Sequence, residues 1–464
     1  MRNEWRVILN GNAEQKARNH LLKRIQRGQE DICFALWTLS TGANTRTAIV
    51  DEVLIPKPGE RYLHGGASVE PIYTVRATHE AARKGKGLAL MHSHPSPGWQ
   101  NMSYIDADTE GNNIAWTADE TGMPFIGMTI GDDGYWSARA WESTRKGSKK
   151  KEQWCRVVQI TGTKNGALHF NPHMAPTPQR ARQLRRTRDA WGDEAQGALG
   201  RARVGIVGLG SVGCIIAESM ARIGVQEIIL IDSDFIETHN LDRLLYGYTG
   251  NVGKKKVYIA QKRVRKACTA KSPKIKAIDA WIQEEKAYRA AIDCNILFSC
   301  VDRPIPRETL NQIAIAHLIP LFDGGVAIKT GKQNREMESA KWVAQLVSPG
   351  RQCLLCSKQY DSGMLSTELD GSLDNPSYTE RLERGGILQN ENVFPFALSA
   401  AAMQINLMVR YFAAPNWWPE VARQEYDLAP AHNLKESKDC HEYCRFRESR
   451  GKGDRAKPPH GKKT

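Results

Sequence analysis

Long apolar runs are missing from this sequence of 464 residues. No stretch approaches the ~18 uninterrupted apolar residues that a membrane-spanning helix needs. Residues Met1–Asn10 carry no apolar core of the kind found in signal peptides, and no internal repeat is visible. We therefore expect a soluble, cytoplasmic protein that does not engage a membrane.

Secretory features are also lacking, although the chain has ten cysteines. Without an oxidising compartment, cysteines in a chain of this length are free thiols or metal ligands, not a disulfide framework.

What the chain does have is a globular composition, with 41% hydrophobic and 25% charged residues. Its length allows two to three domains, each with its own core. The net charge of +14 comes largely from local basic runs. These runs are Arg145–Lys151, Arg180–Arg188, Lys254–Lys256 and Arg450–Lys463. We interpret them as solvated surface or linker, since no nucleic-acid-binding signature accompanies them, and nucleic acid is not an expected partner. ATP phosphates or an acidic protein would use the same charge.

Composition and periodicity divide the chain into three parts. Residues 1–172 predict a mixed α/β domain, with helices over His20–Gln26, Pro71–Lys84 and Asp106–Asp119 and a strand over Gly87–Met91. Residues 173–450 alternate strand and helix, which predicts a mostly parallel, doubly wound α/β sheet. Residues 451–464 are rich in Lys, Pro and Gly, and we predict a disordered basic tail.

A possible metal site follows the strand Gly87–Met91. His92 and His94 are separated by one residue at the end of a strand, so their side chains point the same way. Asp106, at the start of the next helix, would be a third ligand. Three protein ligands around Zn²⁺ leave one tetrahedral position open, which is the arrangement of catalytic zinc sites. A carboxylate from an earlier strand would serve as general base.

The run His92-Ser93-His94-Pro95 followed by Ser103-Tyr104-Ile105-Asp106 resembles the signature of JAMM (MPN-plus) metalloproteases. The resemblance implies a cytidine-deaminase-like fold and hydrolysis of peptide or isopeptide bonds after ubiquitin-like proteins. It also implies zinc binding by His92, His94 and Asp106, with oxyanion stabilisation by Ser103. Glu30 best matches the general base, with Glu52 as the alternative.

This sequence departs from the JAMM pattern by one extra residue between the second histidine and the aspartate. Eleven residues separate His94 from Asp106, where the pattern has ten. The competing interpretations are a surface histidine pair without metal and an inactive relative that keeps the fold.

A second motif lies in the other half of the chain, at Gly208-Leu209-Gly210-Ser211-Val212-Gly213. It comes after the predicted strand Val204–Val207 and begins a helix, so the helix N-terminus can meet a phosphate group. Asp232 ends the next strand, where it would hold a ribose hydroxyl. This motif alone would indicate an NAD-dependent dehydrogenase.

The residues after it favour different chemistry. Asn240, Arg243, Lys256 and Asp302 come next in order. Hydride transfer has no need of cations beside the phosphates together with a separate carboxylate. Adenylation does, because cations stabilise the triphosphate in transfer and an aspartate can hold Mg²⁺.

This series is similar to the ThiF and ubiquitin-activating superfamily over roughly Arg180 to Cys444. The resemblance implies a Rossmann-like fold and adenylation with ATP and Mg²⁺. Asp232 would bind ribose, Asn240, Arg243 and Lys256 would contact phosphates, and Asp302 would bind Mg²⁺. Gly208, Gly210 and Gly213 would form the nucleotide loop, and Arg307 and Asn311 continue the match. The family also implies a homodimer in which an arginine of the leading helix, Arg186 or else Arg185, reaches the partner's nucleotide.

The cysteines of the second half form two separated pairs. Cys353 and Cys356 have standard zinc-ligand spacing, and Cys440 and Cys444 are one residue further apart. Together they predict a closed structural Zn²⁺ site, with unpaired buried thiols as the alternative.

The segment after the first pair, residues 357–439, contains no cysteine. Ubiquitin-activating enzymes that form a thioester often carry the reactive cysteine in that region. We therefore predict that the chain stops at the acyl-adenylate and passes it to an outside nucleophile, such as the thiol of a conjugating enzyme.

These signatures together predict a bifunctional enzyme, a bacterial-type fusion of two activities. One domain would process or remove a ubiquitin-like modifier, and the other would adenylate the carboxyl terminus of that modifier. An alternative is activation and release of a sulfur-carrier protein in cofactor or cysteine synthesis. A second alternative is an inactive scaffold associated with nucleic acid.

Overall fold

The computed structural model describes residues 4–64, 66–143, 150–178, 181–331, 336–384 and 392–458. The chain divides into two compact units. Unit 1 comprises Met1–Thr177, Ala316–Leu318 and Arg450–Ala456, and unit 2 comprises Pro178–Ile315, Ile319–Ser449 and Lys457–Thr464. The first boundary thus lies at Thr177, close to the predicted boundary at residue 172.

Unit 1 is a mixed α/β structure. Its strands are β1 (Glu4–Asn10), β2 (Ile32–Thr41), β3 (Thr45–Leu54), β4 (Arg61–His64), β5 (Gly66–Val69), β6 (Gly87–His94), β7 (Phe125–Gly131), β8 (Trp136–Ser143), β9 (Lys150–Trp154), β10 (Val157–Thr161) and β11 (Ala167–Phe170). Its helices are α1 (Gly11–Leu21), α2 (Pro71–Lys84), α3 (Tyr104–Asp108) and α4 (Thr117–Thr121). Nine strands form one sheet in the order β11-β10-β1-β3-β2-β6-β7-β8-β9, and β4 and β5 form a separate hairpin.

The large sheet is buried on both faces, so its central strands are continuous apolar runs. Along β2, Cys33, Ala35 and Trp37 pack into the core that contains α1. The alternating residues Ile32, Phe34 and Leu36 pack into the core that contains α2 and α4. Residues of β6 alternate in the same way, with Leu88 and Leu90 on the α2 side. His92 and His94 continue that series and therefore face the α2 side.

The helix predicted over Asp106–Asp119 is wrong as one element. The structure has the short helix α3, a π-helical segment Thr109–Ile114 and then α4. The π-helical turn closes when the Ala115 N–H donates to the Glu110 carbonyl at 2.9 Å. Inserting one residue into a helical turn in this way is frequent at functional sites.

Unit 2 alternates strands and helices through its first two thirds. Its strands are β12 (Arg203–Val207), β13 (Glu227–Ile231), β14 (Lys274–Ile278), β15 (Ile296–Ser299), β16 (Leu321–Thr330), β17 (Met337–Val347), β18 (Arg423–Asp427) and β19 (His432–Glu436). Its helices are α5 (Arg185–Trp191), α6 (Asp193–Arg201), α7 (Ser211–Arg222), α8 (Lys256–Ala267), α9 (Glu285–Ile292), α10 (Pro304–His317), α11 (Ser362–Leu369), α12 (Pro376–Arg384) and α13 (Phe394–Ala413).

The sheet of unit 2 has the order β14-β13-β12-β15-β16-β17-β18-β19. The five strands from β14 to β16 are parallel, and the remaining three continue antiparallel. This is the Rossmann-like half that alternation predicts, with an antiparallel extension. The strand order reverses between β12 and β15, and in such sheets ligands bind beyond the carboxyl ends at that point.

The C-terminal segment differs from the predicted disordered tail over its first part. Residues Arg450–Ala456 belong to unit 1. The Thr41 N–H and hydroxyl donate to the two oxygens of Asp454 at 3.0 and 2.6 Å. Arg455 donates to the Lys84 carbonyl at 3.1 Å. The prediction of disorder rested on amino-acid composition, and composition contains no information about hydrogen bonds between distant residues such as these. Residues 459–464 of the predicted tail lie outside the described residues.

In the described part of the chain, no helix combines the length and apolarity needed to cross a bilayer. The most apolar long helix, α13, instead packs against α7, β16 and β17 of unit 2.

Candidate functional site

The first candidate site lies at the end of β6, where His92, His94 and Asp106 meet. Their possible ligand atoms all lie within 4.8 Å of one another. The two Nε2 atoms are 3.1 Å apart. Each Nε2 lies 3.4 Å from a carboxylate oxygen of Asp106. The structure therefore brings together the three metal ligands predicted from the sequence.

Ser103 holds Asp106 in place. It is the N-cap of α3, and its Oγ accepts a hydrogen bond from the Asp106 N–H at 3.1 Å. In return, the Ser103 hydroxyl and N–H donate to Asp106 Oδ2 at 2.8 and 2.9 Å. This reciprocal capping box fixes the carboxylate toward the histidines. Oxyanion stabilisation by Ser103 stays a prediction, because the observed hydroxyl orients Asp106.

The electrostatics of the cluster favour an ionised carboxylate beside the imidazoles. Burial opposes charge on Asp106, but hydrogen bonds from both histidines outweigh it and hold the pKa of Asp106 well below its usual range. Burial likewise opposes protonation of His94, yet the hydrogen bond and charge of Asp106, with the charge of Glu30, raise its pKa. An ionised Asp106 is the form of this side chain that ligates a cation.

The geometry separates the two candidate general bases. Strand β2 pairs antiparallel with β6, with Ile32 opposite His92. Continuing that register by two residues places Glu30 opposite His94 on the same face of the sheet. Glu52 lies on β3, which is not adjacent to β6, and both of its oxygens accept hydrogen bonds from Lys84 Nζ at 2.6 and 2.9 Å. Glu30, and not Glu52, is therefore placed beside the cluster.

The donor set fits zinc. Two imidazole nitrogens and one carboxylate oxygen are typical zinc ligands, and three protein ligands leave a fourth position open. The side chains of His92, His94 and Asp106 are 8%, 15% and 18% exposed, so the cluster is enclosed but reachable from solvent.

The second candidate site is a cavity of about 750 Å³ at the carboxyl ends of the parallel strands of unit 2. Its lining includes most of the residues predicted from the sequence, namely Gly208, Gly210, Asp232, Asn240, Arg243, Lys256, Asp302 and Arg307. They come from the ends of β12, β13 and β15 and from the loops and helices after these strands. The cavity occupies the position where the strand order reverses, as the fold predicts for a ligand site.

At two positions of the loop only glycine fits, because another part of the backbone lies too close for a Cβ atom. Gly208 has φ of +84°, and a Cβ there would lie 2.5 Å from the Cys300 carbonyl oxygen. A Cβ on Gly213 would lie 1.9 Å from the Gly208 carbonyl oxygen, so this residue allows the first turn of α7 to pack on the loop. Gly213 therefore packs against the backbone of the loop that lines the cavity, but it does not line the cavity itself.

Asp232 is held at the floor of the cavity by the loop itself. Its oxygens accept hydrogen bonds from the N–H groups of Leu209 at 2.6 Å and Asp234 at 2.7 Å. Burial, together with the charge of Asp234, raises the pKa of Asp232 to about 6. Carboxylate oxygens can accept further hydrogen bonds besides these two.

The cations of the site are already engaged by neighbouring oxygens. Lys256 Nζ lies 2.9 Å from Asp234 Oδ2. The Arg243 guanidinium donates to Asp242 Oδ1 at 2.9 Å and also to the His239 carbonyl. An anionic ligand in the cavity would share or replace these contacts, because ionised oxygens form strong hydrogen bonds with such cations.

Asp302 is exposed on the wall of the cavity, beside the cation Arg303. Arg303 pairs with Glu368 at 2.8 Å and with Asp374 at 2.7 Å. Glu368 also accepts the Ile305 N–H at 2.7 Å, at the start of α10. Through these ion pairs, Arg303 holds the segment that contains Glu368 and Asp374 next to Asp302, which follows the end of β15.

Sequence reasoning missed the residues that this later segment contributes to the cavity. Asn392 donates to Ser211 Oγ at 2.7 Å, and Leu373 and Thr379 also line the cavity. They lie far along the chain from the glycine loop and form no motif with it, so no local signal pointed to them.

Two residues of the predicted match lie elsewhere. Arg186 is on α5, is exposed and does not line the cavity; its action on a partner subunit's nucleotide stays a prediction. Asn311 is fully buried, and its Oδ1 accepts the Leu354 N–H at 2.9 Å. Asn311 therefore supports the loop that carries Cys353 and Cys356, and not the nucleotide site.

Cys353, Cys356, Cys440 and Cys444 converge on one point, with their sulfur atoms within 4.8 Å of one another. Cys353 Sγ and Cys444 Sγ are 3.6 Å apart. The hydrogen bond with Cys353 lowers the pKa of the Cys440 thiol, which favours the thiolate form that ligates a metal. Four thiolates around one point fit a closed structural zinc site, and the structure thus favours zinc ligation over unpaired buried thiols.

The remaining six cysteines are poorly suited to nucleophilic catalysis. Four of them, Cys33, Cys155, Cys214 and Cys294, are buried, and Cys300 is partly exposed. Burial raises the pKa of the Cys33, Cys155, Cys214 and Cys300 thiols. Cys268 is partly exposed, and burial raises the pKa of its thiol as well. A reactive thiol needs a lowered pKa and access to solvent, and none of these six combines the two.

Comparison with known proteins identifies a protein family through the second half of the chain. The model of the ThiF family matches residues 181–412, which is half of the chain. The chain belongs to the ThiF family. This match covers β12 to β17, α13 and the cavity residues from Gly208 to Asn392, and residues before 181 lie outside it.

Among curated relatives, the chain is 30% identical over 141 residues to the molybdopterin-synthase adenylyltransferase of Escherichia coli. That alignment covers 30% of this chain and 55% of the relative. The chain is 28% identical over 138 residues to the SAMP-activating enzyme E1 of Haloferax volcanii, covering 30% of this chain and 50% of that protein. The chain therefore spans about half the length of the curated relatives it matches.

Among solved structures, E. coli MccB crystallised with ATP is similar over 57% of this chain and 74% of that one. The identity is 18% and the TM-score 0.44. Similarity at this level supports no argument about function.

Proposed function

We propose that unit 2 adenylates the carboxyl terminus of a ubiquitin-like or sulfur-carrier protein. The observation that carries the proposal is one cavity, at the switch point of the sheet, that combines the glycine loop, Arg243 and Lys256 with the exposed carboxylate of Asp302. The E. coli and H. volcanii relatives, an adenylyltransferase and an activating enzyme, support the same chemistry.

Each group of residues would have its own role in the reaction. The N-terminus of α7 and the loop at Gly208 would accept phosphate, and Asp232 would hold the ribose hydroxyls. Lys256 and Arg243 would neutralise the triphosphate, and Asp302 would hold Mg²⁺. The substrate carboxylate would attack the α-phosphorus, the bond from that phosphorus to the bridging oxygen would break, and pyrophosphate would leave. The products are an acyl-adenylate and pyrophosphate.

ATP–pyrophosphate exchange with candidate modifiers ending in glycine tests this proposal. We expect wild-type exchange with the correct modifier and at least ~100-fold slower exchange for Asp302→Asn, because the charge that holds Mg²⁺ is removed. Glu338→Gln is the matched control, since it removes an exposed carboxylate paired with Lys329 on β16 and β17, outside the cavity. Equal rates for wild type and Asp302→Asn would reject the assigned role.

We also propose that unit 1 is a zinc peptidase or isopeptidase of the JAMM type that acts on the same modifier. The converging Nε2 atoms of His92 and His94 and the Asp106 carboxylate support it, together with Glu30 opposite His94. Bound zinc would act as a Lewis acid on the scissile carbonyl and acidify water. Glu30 would accept the proton of the attacking water and deliver it to the leaving amine. Ser103 would keep Asp106 oriented.

Cleavage of a fusion between the modifier and a reporter protein tests this second activity. We expect cleavage by the zinc-loaded wild type and none by His92→Ala. Two zinc ions per chain would support both metal sites, whereas only the zinc of the four-cysteine site would remain in His92→Ala. A wild-type protein that binds no zinc at either site would instead favour an inactive scaffold.

Two uses of the adenylate remain open as proposals. The name of the E. coli relative, a molybdopterin-synthase adenylyltransferase, favours sulfur-carrier activation, and that of the H. volcanii relative favours modifier activation. A product thiocarboxylate would identify the first, and transfer to the thiol of a conjugating enzyme the second. Chromatography with light scattering would test the proposed homodimer.

A further inference from the structure

A network of buried polar side chains lies behind the metal cluster of unit 1. His92, Thr129 and Arg139 stand on the neighbouring strands β6, β7 and β8, and Thr129 is the register partner of His92. Thr129 Oγ1 lies 3.5 Å from His92 Nε2. Arg139 Nη1 donates to the same Oγ1 at 2.9 Å. Arg139 thus holds a hydroxyl that lies against the edge of the ligand histidine, beside the atom that would bind the metal.

The other end of the network lies on the segment that carries Asp106. Glu110 lies in the π-helical segment directly after α3, and its carboxylate accepts two hydrogen bonds from Arg139, one of them at 2.8 Å from Nε. Trp141 Nε1 donates to Glu110 at 3.0 Å. Arg139 and Glu110 are 0% and 1% exposed, so both charges are fully removed from water.

The space for the Glu110 carboxylate beside Arg139 depends on a glycine of β7. Arg139 is the register partner of Gly127 on β7. A Cβ on Gly127 would lie 1.8 Å from the nearer carboxylate oxygen of Glu110. The π-helical turn aims Glu110 over that position. Such a buried pair is costly unless its donors and acceptors are satisfied, and here Thr129 and Trp141 supply further hydrogen bonds to its two ends.

From these contacts we infer that Glu110, Arg139 and Thr129 position the metal ligands, by tying the Asp106 segment to the strand of His92. The pair joins the two parts of the chain that supply the ligands, because Asp106 and Glu110 lie one turn apart and His92 and Thr129 lie side by side. Zinc would occupy His92 Nε2, so Thr129 acts on this ring through contact with its edge and not through a hydrogen bond to the ligating nitrogen. Its oxygen is held in place by Arg139. The inference rests on the zinc site of the proposed function.

The test measures zinc affinity by competition with a chromophoric chelator, using the full chain. His92→Ala defines the signal of the four-cysteine site, which is subtracted. Thr129→Val keeps the volume of the side chain but removes the hydroxyl, and we expect a zinc dissociation constant about 10- to 100-fold higher. Thr129→Ser restores the hydroxyl and is expected to recover most of the affinity. Glu110→Gln is expected to weaken zinc binding at least as much.

Thr78→Val is the control for loss of a buried hydroxyl. Thr78 lies on α2, and its hydroxyl donates to the Thr74 carbonyl at 2.8 Å. Its zinc affinity should equal that of the wild type. The inference is overturned if Thr129→Val binds zinc like the wild type, or if Thr78→Val weakens binding equally. If the wild type binds no more zinc than His92→Ala, the proposed peptidase site itself fails, which is a different result.

Discussion

The choice of Glu30 over Glu52 gives a sharp test of the peptidase site. Glu30→Gln keeps size and polarity but removes the proton acceptor opposite His94. General-base catalysis is worth about 10²- to 10⁴-fold in rate. At ~1.36 kcal/mol for each factor of ten, this is about 3 to 5 kcal/mol of barrier. We expect cleavage of the modifier fusion to slow by that factor, while zinc content stays unchanged because Glu30 is not one of the three converging ligands.

Glu52→Gln is the matched control within the same unit. It breaks the ion pair with Lys84, whose side chain is 29% exposed while that of Glu52 is 33% exposed, so the expected loss of folding stability is at most about 1 kcal/mol. Cleavage by this variant should match the wild type. Single-turnover cleavage with zinc-loaded protein is the assay. Cleavage by Glu30→Gln within about tenfold of the wild type, or a selective loss in Glu52→Gln, would refute the assignment.

Three further predictions concern unit 2. Because the pKa of Asp232 is raised to about 6 in the folded chain, its proton stabilises the nucleotide-free protein at acidic pH, and this stability is lost as pH rises through about 6. We expect the wild type to gain about 1.4 kcal/mol over Asp232→Asn between pH ~7.5 and ~5 in denaturant titrations; a pH-independent difference would contradict this. Lys256→Met should weaken ATP binding in calorimetry at least ~10-fold without changing the melting temperature by more than a few degrees, and unchanged affinity would remove Lys256 from the phosphate site. Cys356→Ser should lose one zinc ion per chain and lower the melting temperature, measured against Cys268→Ser, which should keep both.

Sequence reasoning located both candidate sites because their residues come directly after strand ends. The pair His92 and His94 and the loop at Gly208 each continue a buried strand, so local periodicity fixes where their side chains point. Arg243, Lys256 and Asp302 were identified from their order after the glycine loop, from the charge that adenylation needs, and from the resemblance to the ThiF and ubiquitin-activating superfamily. The glycine positions were informative for a steric reason, since a Cβ at Gly213 would overlap the backbone of the loop.

The features that sequence reasoning missed depend on contacts between distant segments. The single helix predicted over Asp106–Asp119 is divided into α3, a π-helical segment and α4, because the π-helical turn places Glu110 where it pairs with Arg139. The docking of Asp454 on Thr41 joins residues 413 positions apart, in a segment whose composition is typical of disorder. Asn311 matched a family position, yet its amide supports the loop of Cys353. Such pairings carry no local period, so only the folded chain identifies them.

The distribution of thiols bears on the fate of the acyl-adenylate. Four of the ten cysteines converge in the proposed zinc site, and the other six are buried or have a raised pKa. Cys300 lines the cavity of unit 2, but burial and the charge of Asp323 raise the pKa of its thiol well above the ordinary value. An acyl-adenylate formed beside Cys300 would therefore meet a neutral thiol, which is a poor nucleophile. Because residues 357–439 supply no cysteine either, the nucleophile that accepts the acyl group in our proposal comes from another protein. The chain would then activate a carboxylate for a partner and, at the His92 site, hydrolyse the bond that such a transfer creates.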